Sequence, residues 1–348
     1  RFESDGLTRI DLQSITNLAY DFHDRTTQST IITYEADGVT FASKQIIHYD
    51  SYDQWGNVLV QRVDLFDIAD NLLERKLITN VYSGDVIMVQ QSGAESTVDG
   101  AIAARRGNAI TTTVKRYLDE GMALLVERQE MVTDRIDWRG NIVDQTIRTY
   151  VTIGGVESLA TKTEINNVLS TIDNRGDAET QEITTWTSPT GIESEGLLEV
   201  SYQVITNREF DSQHRVENQK VLNYLSEGTM LLLDTQEIRS LNFDSRGNAR
   251  LQYIATYVDG SLIDAKKIVS SNPDEYGYLR DVDIYVYDQA ALSQDQDFSQ
   301  IIPVEATLRE VQVIRTTDFD YRGNVVTQTV ERFESDGLTR IDLQSITN

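Results

Sequence analysis

The stretch Arg1 to Asn17, RFESDGLTRIDLQSITN, returns without a change as Arg332 to Asn348, so position n maps onto n + 331. Diverged domain copies do not stay identical over seventeen residues by accident. The simplest reading is one full period of a longer tandem array, residues 1–331, followed by the opening of the next, residues 332–348. A chain that can follow itself end to end is a building material before it is anything else.

A finer period lies inside the long one. Its anchors are Asp53-Gln-Trp-Gly56-Asn57, Asp137-Trp-Arg-Gly140-Asn141, Asp173-Asn-Arg-Gly176-Asp177, Asp244-Ser-Arg-Gly247-Asn248 and Asp320-Tyr-Arg-Gly323-Asn324. Weaker versions start at Asp21, Asp67, Ala104, Asp211 and Asp274. Ten anchors in 331 residues give a mean spacing of about 33, inside the window of repeat architectures. Aligned on the anchor, position +10 is aliphatic throughout: Ile31, Val63, Leu77, Val114, Ile147, Ile183, Val221, Ile254, Ile284 and Val330. Position +13 is aromatic in all but the Asp67 copy, which has Asn80: Tyr34, Phe66, Tyr117, Tyr150, Trp186, Tyr224, Tyr257, Tyr287 and Phe333. Position +8 is Gln in six copies, and a second glycine follows at +16 to +18 in eight.

Each column has a physical reading. Asp-x-x-Gly-Asn is turn chemistry, because the Asp carboxylate accepts from backbone N–H groups two residues on and Gly-Asn tolerates positive φ. The Val, Ile, Thr, Tyr and Gln that follow suit a pleated surface. The second glycine marks a reversal. Each repeat therefore predicts a β-hairpin, and the array an all-β antiparallel meander of roughly twenty strands per period. Positions +8 and +10 share one side of a strand and +13 takes the other, giving an aliphatic and glutamine ladder on one face and an aromatic ladder on the opposite face. Neither face is thickly apolar, which argues for a single-layer wall held by backbone ladders and cross-strand pairs, not a sandwich. A flat sheet of that size is unusual, so the expected solution is a spiral sheet, hollow tube or solenoid.

Two intervals are irregular. Asp53 and Asp67 are 14 residues apart, so either a return strand is missing or Asp67 is a false anchor. The Asp274 to Asp320 interval is 46 residues and holds Asp288 to Phe298, with Pro303 after it. That segment reads as a projecting loop or short helical insert suited to lateral contacts.

Composition bounds the function. The three prolines are scattered and mark no linker, so one continuous repeat domain is expected. The absence of cysteine excludes a disulfide framework and thiol chemistry, and it fits an exported chain. No secretory signal or transmembrane run is visible in the sequence. The formal charge is −25, or −24 per period once the overlap (Arg1 and Arg9 against Glu3, Asp5 and Asp11) is counted once. Dispersed acid reads first as a solubilising surface. A divalent cation such as calcium between acidic turns is the sharper reading, but no EF-hand or glycine-aspartate nonapeptide is present and no ligand residue stands out. Nucleic acid is a poor partner for such a charge.

The search for chemistry returns little. His23 and His214 sit in anchor turns, His214 in the slot usually held by Gly, and His48 completes the set. No nucleophile elbow, zinc motif, P-loop or dinucleotide fingerprint occurs. Carboxylate pairs such as Asp21 and Asp24 carry no weight among so many acids. The aromatic ladder could stack on sugars, yet its recurrence in nearly every repeat favours packing.

Tyr52-Asp-Gln-Trp-Gly-Asn57, Phe243-Asp-Ser-Arg-Gly-Asn248 and Phe319-Asp-Tyr-Arg-Gly-Asn324 resemble the [Tyr/Phe]-Asp-x-x-Gly core of YD repeats, found in Rhs-type proteins, toxin-complex shells and teneurins. The resemblance implies a spiral β-meander on an extracellular or surface protein, of the kind that encloses a polypeptide cargo. The chain departs from the family in its longer period, in Asn and a variable residue where Arg and Leu usually follow the Gly, and in carrying no toxin or protease segment. Pro273-Asp-Glu-Tyr-Gly277 is similar to the end motif of the Rhs shell but lies mid-array.

These readings converge on a non-catalytic, cofactor-free structural protein, the repeating unit of a giant extracellular tube or filament whose partner is itself, head to tail and laterally. An encapsulating shell for a toxin or effector is the alternative, and a surface adhesin the second.

Overall fold

The computed structural model describes residues 9, 11–244, 246–290, 303–320 and 323–348. Their backbone forms one ribbon in which strands pair in chain order. It begins with β1 (Leu12–Tyr20), β2 (Thr26–Tyr34), β3 (Phe41–Tyr52), β4 (Val58–Phe66) and β5 (Leu72–Val81). A detour of β6 (Asp85–Val89), β7 (Glu95–Asp99) and the one-turn helix α1 (Ala101–Arg105) comes next. The chain then returns as β8 (Thr111–Tyr117), which pairs with β5. The meander continues through β9 (Leu125–Asp137), β10 (Ile142–Ile153), β11 (Val156–Asn167), β12 (Thr180–Thr187), β13 (Leu198–Phe210) and β14 (Val216–Tyr224). It ends with β15 (Leu232–Phe243), β16 (Ala249–Val258), β17 (Ser261–Pro273), β18 (Leu279–Tyr287), β19 (Leu308–Phe319), β20 (Val325–Glu334) and β21 (Arg340–Thr347). All 21 strands belong to one sheet that does not close on itself, and the β6–β9 pair is parallel where the rest are antiparallel.

Eight of the ten anchors form turns on one edge of the ribbon, here called the anchor edge. In the Asp137 turn, Asp137 N–H donates to the Asn141 carbonyl (2.8 Å) and Gly140 N–H to the Asp137 carbonyl (2.9 Å). Asp137 Oδ1 accepts from the Arg139 and Asn141 amides, and Oδ2 from Asn141 Nδ2 and Arg139 Nε. One carboxylate therefore satisfies the donors that the reversal exposes. The fourth residue takes positive φ, as Gly56, Gly140, Gly176, Gly247, Gly277 and Gly323, or as Asp24 (60°) and His214 (64°) where the sequence lacks glycine.

Two expectations need correction. Asp67 is neither a false anchor nor the start of a repeat: its turn has the same bonds, with Oδ1 accepting from Ala69 and Asn71 and Oδ2 from Asn71 Nδ2. It joins β4 to β5 on the opposite edge, where other hairpins place their second glycine. Leu77 consequently pairs with Arg62 and Lys115 on the face away from Val63. The Ala104 anchor is also not a turn of this kind. It is the end of α1, with Gly107 at φ 78° supplying the left-handed residue after the helix. The detour fills a gap, since β8 begins late and leaves the end of β9 without a partner until β6 pairs there in parallel. Val86, Ala103, Ile110 and Ile136 form a small apolar cluster beneath it. Of the expected projecting segment, Ala290 bridges Pro303, and 291–302 lie outside the described residues.

Two irregularities recur hairpin after hairpin and bend the ribbon. Next to each +13 aromatic the return strand carries an extra residue, as Ala42 does between Phe41 and Ser43 or Leu233 between Leu232 and Asp234. A second slip sits near the anchor turn in several hairpins, as at Asp134 and Val143. Bulges add local right-handed twist and bend the strand that carries them. The register also drifts: the row Gln145–Ile165–Ile183–Gln203–Asn223 lies at +8, +10 and +12 from Asp137, Asp173 and Asp211. A drift of two residues per hairpin is the stagger that curling a sheet requires.

The curl brings distant strands together. Arg246, on the β15–β16 turn, donates from Nη2 to the Ala42 carbonyl at the start of β3 (2.5 Å), and Arg250 lies 3.9 Å from Glu35. Eleven ribbon strands, β3 to β15 without the detour, make this circuit. One turn of coil thus sets its anchor edge against the opposite edge of the coil before it.

Because Asp137 is fully buried, replacing it with Ala leaves several donors without an acceptor and is expected to cost about 2–3 kcal/mol in urea unfolding. The same change at the exposed Asp67 turn is expected to lower the urea midpoint by clearly less, because water replaces the lost acceptor there. Equal losses at both sites would contradict this account of the turns.

Candidate functional site

The repeated faces and the edge contact between coils are the features that every repeat contributes to, so they are the surfaces on which function can rest. On the first face the ladder residues have a consistent neighbour on the preceding strand. Ile31 faces Ile15, Val63 faces Ile47, Val114 faces Ile78, and Ile147 faces Met131. Ile183 faces Ile165, Val221 faces Ile205, Ile254 faces Ile238, Ile284 faces Ile268, and Val330 faces Ile314. On the following strand the neighbour is Gln in six places, Gln45, Gln129, Gln203, Gln236, Gln312 and Gln344, and Lys or Thr in the other three. Amides link up where aliphatics do not: Gln181 Nε2 donates to Asn167 Oδ1 (2.8 Å) and Gln203 Nε2 to Asn223 Oδ1 (2.8 Å). This checkerboard depends on the two-residue drift between hairpins, which repeat-by-repeat alignment does not contain.

On the second face each +13 aromatic sits at the far end of its strand. Tyr34 faces Phe41, Phe66 faces Leu72, Tyr117 faces Leu125, Tyr150 faces Leu159, Tyr224 faces Leu232, Tyr257 faces Leu262 and Tyr287 faces Leu308. Trp186 and Phe333 face Glu199 and Arg340 instead. Cations cover several rings: Arg128 lies 3.8 Å from the Tyr150 centroid, Lys162 5.3 Å from Trp186 and Lys44 5.5 Å from Phe66. Tyr117, Tyr257 and Tyr287 are buried. The bulge opposite each ring turns the return strand toward it, an arrangement whose sequence signal is only the fixed +13 spacing.

The seam between coils is the third surface. Arg246 spans it: Nη1 donates to the Asp274 carbonyl (3.2 Å) and Nη2 to the Glu275 carbonyl (3.0 Å) of the neighbouring turn, in addition to Ala42. Burial pushes the Arg246 pKa down, against the carboxylates around it. Burial likewise raises Glu35, and the Arg250 guanidinium offsets part of that effect. Farther along, Tyr276 and Tyr278 come over the buried pair Arg116–Glu74 (2.6 Å). Tyr276 and Arg246 together close one end of a cleft of about 320 Å³ floored by Ile31, Gln45, Val63 and Leu65. The resemblance of Asp274 to an end motif gave no hint of this, since the cross-coil partner is more than 150 residues away.

The histidines occupy structural places. His214 Nδ1 lies 2.8 Å from Asp177 on the preceding anchor turn, His23 packs against Phe22, and His48 pairs with Gln28 and Arg62 on strands. The Asp21 carboxylate is taken up by its own turn through Arg25 and His23. Among the described residues, no cluster of three or more His, Asp or Glu is arranged to hold a metal ion. No helix is long and apolar enough to cross a membrane among them.

No family model matches the chain, and no curated protein matches it. Solved structures do. A TcdB2-TccC3-TEV structure matches 95% of this chain and 16% of that chain, at 12% identity and a TM-score of 0.26. A Photorhabdus luminescens Tc holotoxin pore matches 92% and 22% at 9% identity and a TM-score of 0.16. A TcdB2-TccC3 structure matches 93% and 23% at 10% identity and a TM-score of 0.12. The chain spans less than a quarter of the length of each.

The turn carboxylates set the response to acid. In the folded chain Asp37 is held down to about 2 by the Thr40 hydroxyl and the Thr40 and Val39 amides. Asp21 is also lowered to about 2: burial opposes the shift, but bonds from Arg25 and His23 outweigh it. A depressed folded pKa contributes stability that is complete above the unfolded value near 3.8 and is lost as pH falls toward 2. Urea midpoints are therefore expected to hold from neutral pH to about 4 and to drop below it. Carboxyl NMR should place the Asp21 and Asp37 titrations near 2; ordinary values for both would remove this explanation.

Proposed function

We propose that this chain is the repeating unit of a long extracellular structural protein, a coiled β-sheet tube or filament that works without catalysis or a cofactor. One observation carries the reading: the two outermost strands of the sheet are the same sequence. Leu12–Asn17 of β1 and Leu343–Asn348, at the β21 end, are identical. In β21 that segment pairs with β20, with Val330 opposite Gln344 and Gln328 opposite Ile346. In β1 it pairs with β2, with Ile15 opposite Ile31 and Gln13 opposite Thr33. The two pairings use opposite sides of one strand, so a strand of this sequence inside an array takes both neighbours, β20 of one period and β2 of the next.

The exposure pattern supports continuation. Ile15 is 59% exposed at the open side of β1, whereas its ladder equivalents Ile47 and Ile165 are half-buried, and Leu343 is 52% exposed on the other face at the far end of the ribbon. Long open strands with exposed apolar side chains are liabilities unless another strand covers them. A charge of −25 keeps such a wall from clumping sideways. The lack of cysteine suits export.

Negative-stain microscopy of native material should show long fibres of uniform width. Discrete closed particles would instead favour a shell around a cargo and would overturn the tandem-fibre reading.

A further inference from the structure

We infer that the uncovered stretch of the rim, marked by Val200, Leu233, Ile263 and Ile341, is the seat for the anchor edge of the next period, the partner being a second copy of this sequence. The inference rests on the tandem reading above and adds how successive coils hold each other.

The seam already formed within the chain is the template. It places the β15–β16 anchor turn against the rim at β2–β3, eleven ribbon strands earlier. The bulged residue on the return strand reports whether a coil lies over the rim. Where the second coil covers the first, this residue is buried or half-buried: Ala42 at 9%, Val126 at 6%, and Leu73 between them. Where nothing covers it, four of the six positions are apolar and open, with Val200 at 56%, Leu233 at 47%, Ile263 at 54% and Ile341 at 51%; of the other two, Ala160 is half-buried and Arg309 is charged and exposed. The backbone geometry is the same in both sets, since each follows a +13 aromatic across the bulge. The difference is cover.

The complementary edge is also present. Residues two after the anchor Asp make the formed seam, Arg246 and Tyr276. The same slot in the first coil holds Trp55, Arg139 and Arg175. Arg139 reaches its neighbouring turn at the Ile172 carbonyl and Asn174 Oδ1, as Arg246 reaches Asp274 and Glu275. Trp55 is 49% exposed. Eighteen ribbon strands separate β1 from its copy β21 when the detour is left out. Carrying the eleven-strand offset forward by one period then sets Trp55 of the following period over the β12–β13 rim at Val200. It sets α1 over the β14–β15 rim at Leu233, and Arg139 over the β16–β17 rim at Ile263. The most apolar turn of the rim, Leu225 with Met230 to Leu233, thereby meets the detour, which has its own apolar cluster on the anchor edge.

The natural absence of cysteine makes the test clean. In a chain of two periods, residues 1–331 followed by 1–348, Val200→Cys in the first period is combined with Trp55→Cys in the second. A short bis-maleimide should then link the two intramolecularly, seen as a faster-migrating band in most molecules. Ile263→Cys in the first period with the same Trp55→Cys, four ribbon strands off the expected seat, should not link. No link with Val200, or equal linking with Ile263, overturns the seat. Hydrogen exchange separates this from the underlying reading. Slow exchange at the internal junction strand on both of its sides shows a continuous ribbon, so that a missing link then fails the seam alone. Fast exchange there together with a missing link removes both.

Discussion

The backbone ladder is what the rest of the structure depends on. A strand in this ribbon satisfies its amides and carbonyls through the strand before it and the strand after it, and among the described residues all strands belong to one sheet, with no second sheet packed behind it. Cross-strand side-chain pairs add roughly 0.2–1 kcal/mol each, and they act mainly by fixing register. Stability is therefore spread along the ribbon in neighbour terms, as expected for repeat arrays. The buried apolar set supports this. Among the described residues it consists of scattered Ala, Val, Ile, Leu and Tyr side chains and small clusters such as Val86, Ala103, Ile110 and Ile136, with no continuous core.

Given that ladder, the aspartate turns and bulges decide shape. An Asp carboxylate that accepts from two amides and a side chain closes the reversal in five residues, leaving few degrees of freedom to the strand that leaves it. The bulge across from each aromatic then bends every hairpin in the same sense. Repetition makes small bends add up, so a wall with little sideways cohesion still returns upon itself after eleven strands. Arg246, Tyr276 and Tyr278 stitch the return. They use the tips of the turns, which is why the circuit ends in an edge contact and not in a closed hydrogen-bonded barrel.

The hairpins, their turn residues and both ladders were legible in the sequence, since Asp-x-x-Gly-Asn and the +10 and +13 columns are local signals. Asp67 misled for a physical reason. Its carboxylate makes the same bonds as Asp53, and chemistry that closes a turn does not say which edge the turn is on. Ala104 misled differently, because the Gly107-Asn108 pair that ends a helix has the same left-handed requirement as one that ends a turn. Register between hairpins was not legible, because each repeat aligns without gaps while the bulged residue adds its offset across strands. The seam was also out of reach: Arg246 and Ala42 are 204 residues apart and belong to no shared motif.

The rim shows how far local chemistry extends into assembly. Val39 and Ile68 remain 78% exposed at turn tips in the covered part of the rim, so an exposed apolar tip by itself says nothing about contact. The bulge position behind the tip is different, because its exposure changes between the covered and the uncovered part of the rim while its backbone surroundings do not. A surface that is apolar in both places and open in one is what a periodic sequence must produce wherever its neighbour has yet to arrive. Side chains chosen for the interior of the array appear at its open edge unaltered, since one sequence has to serve both positions.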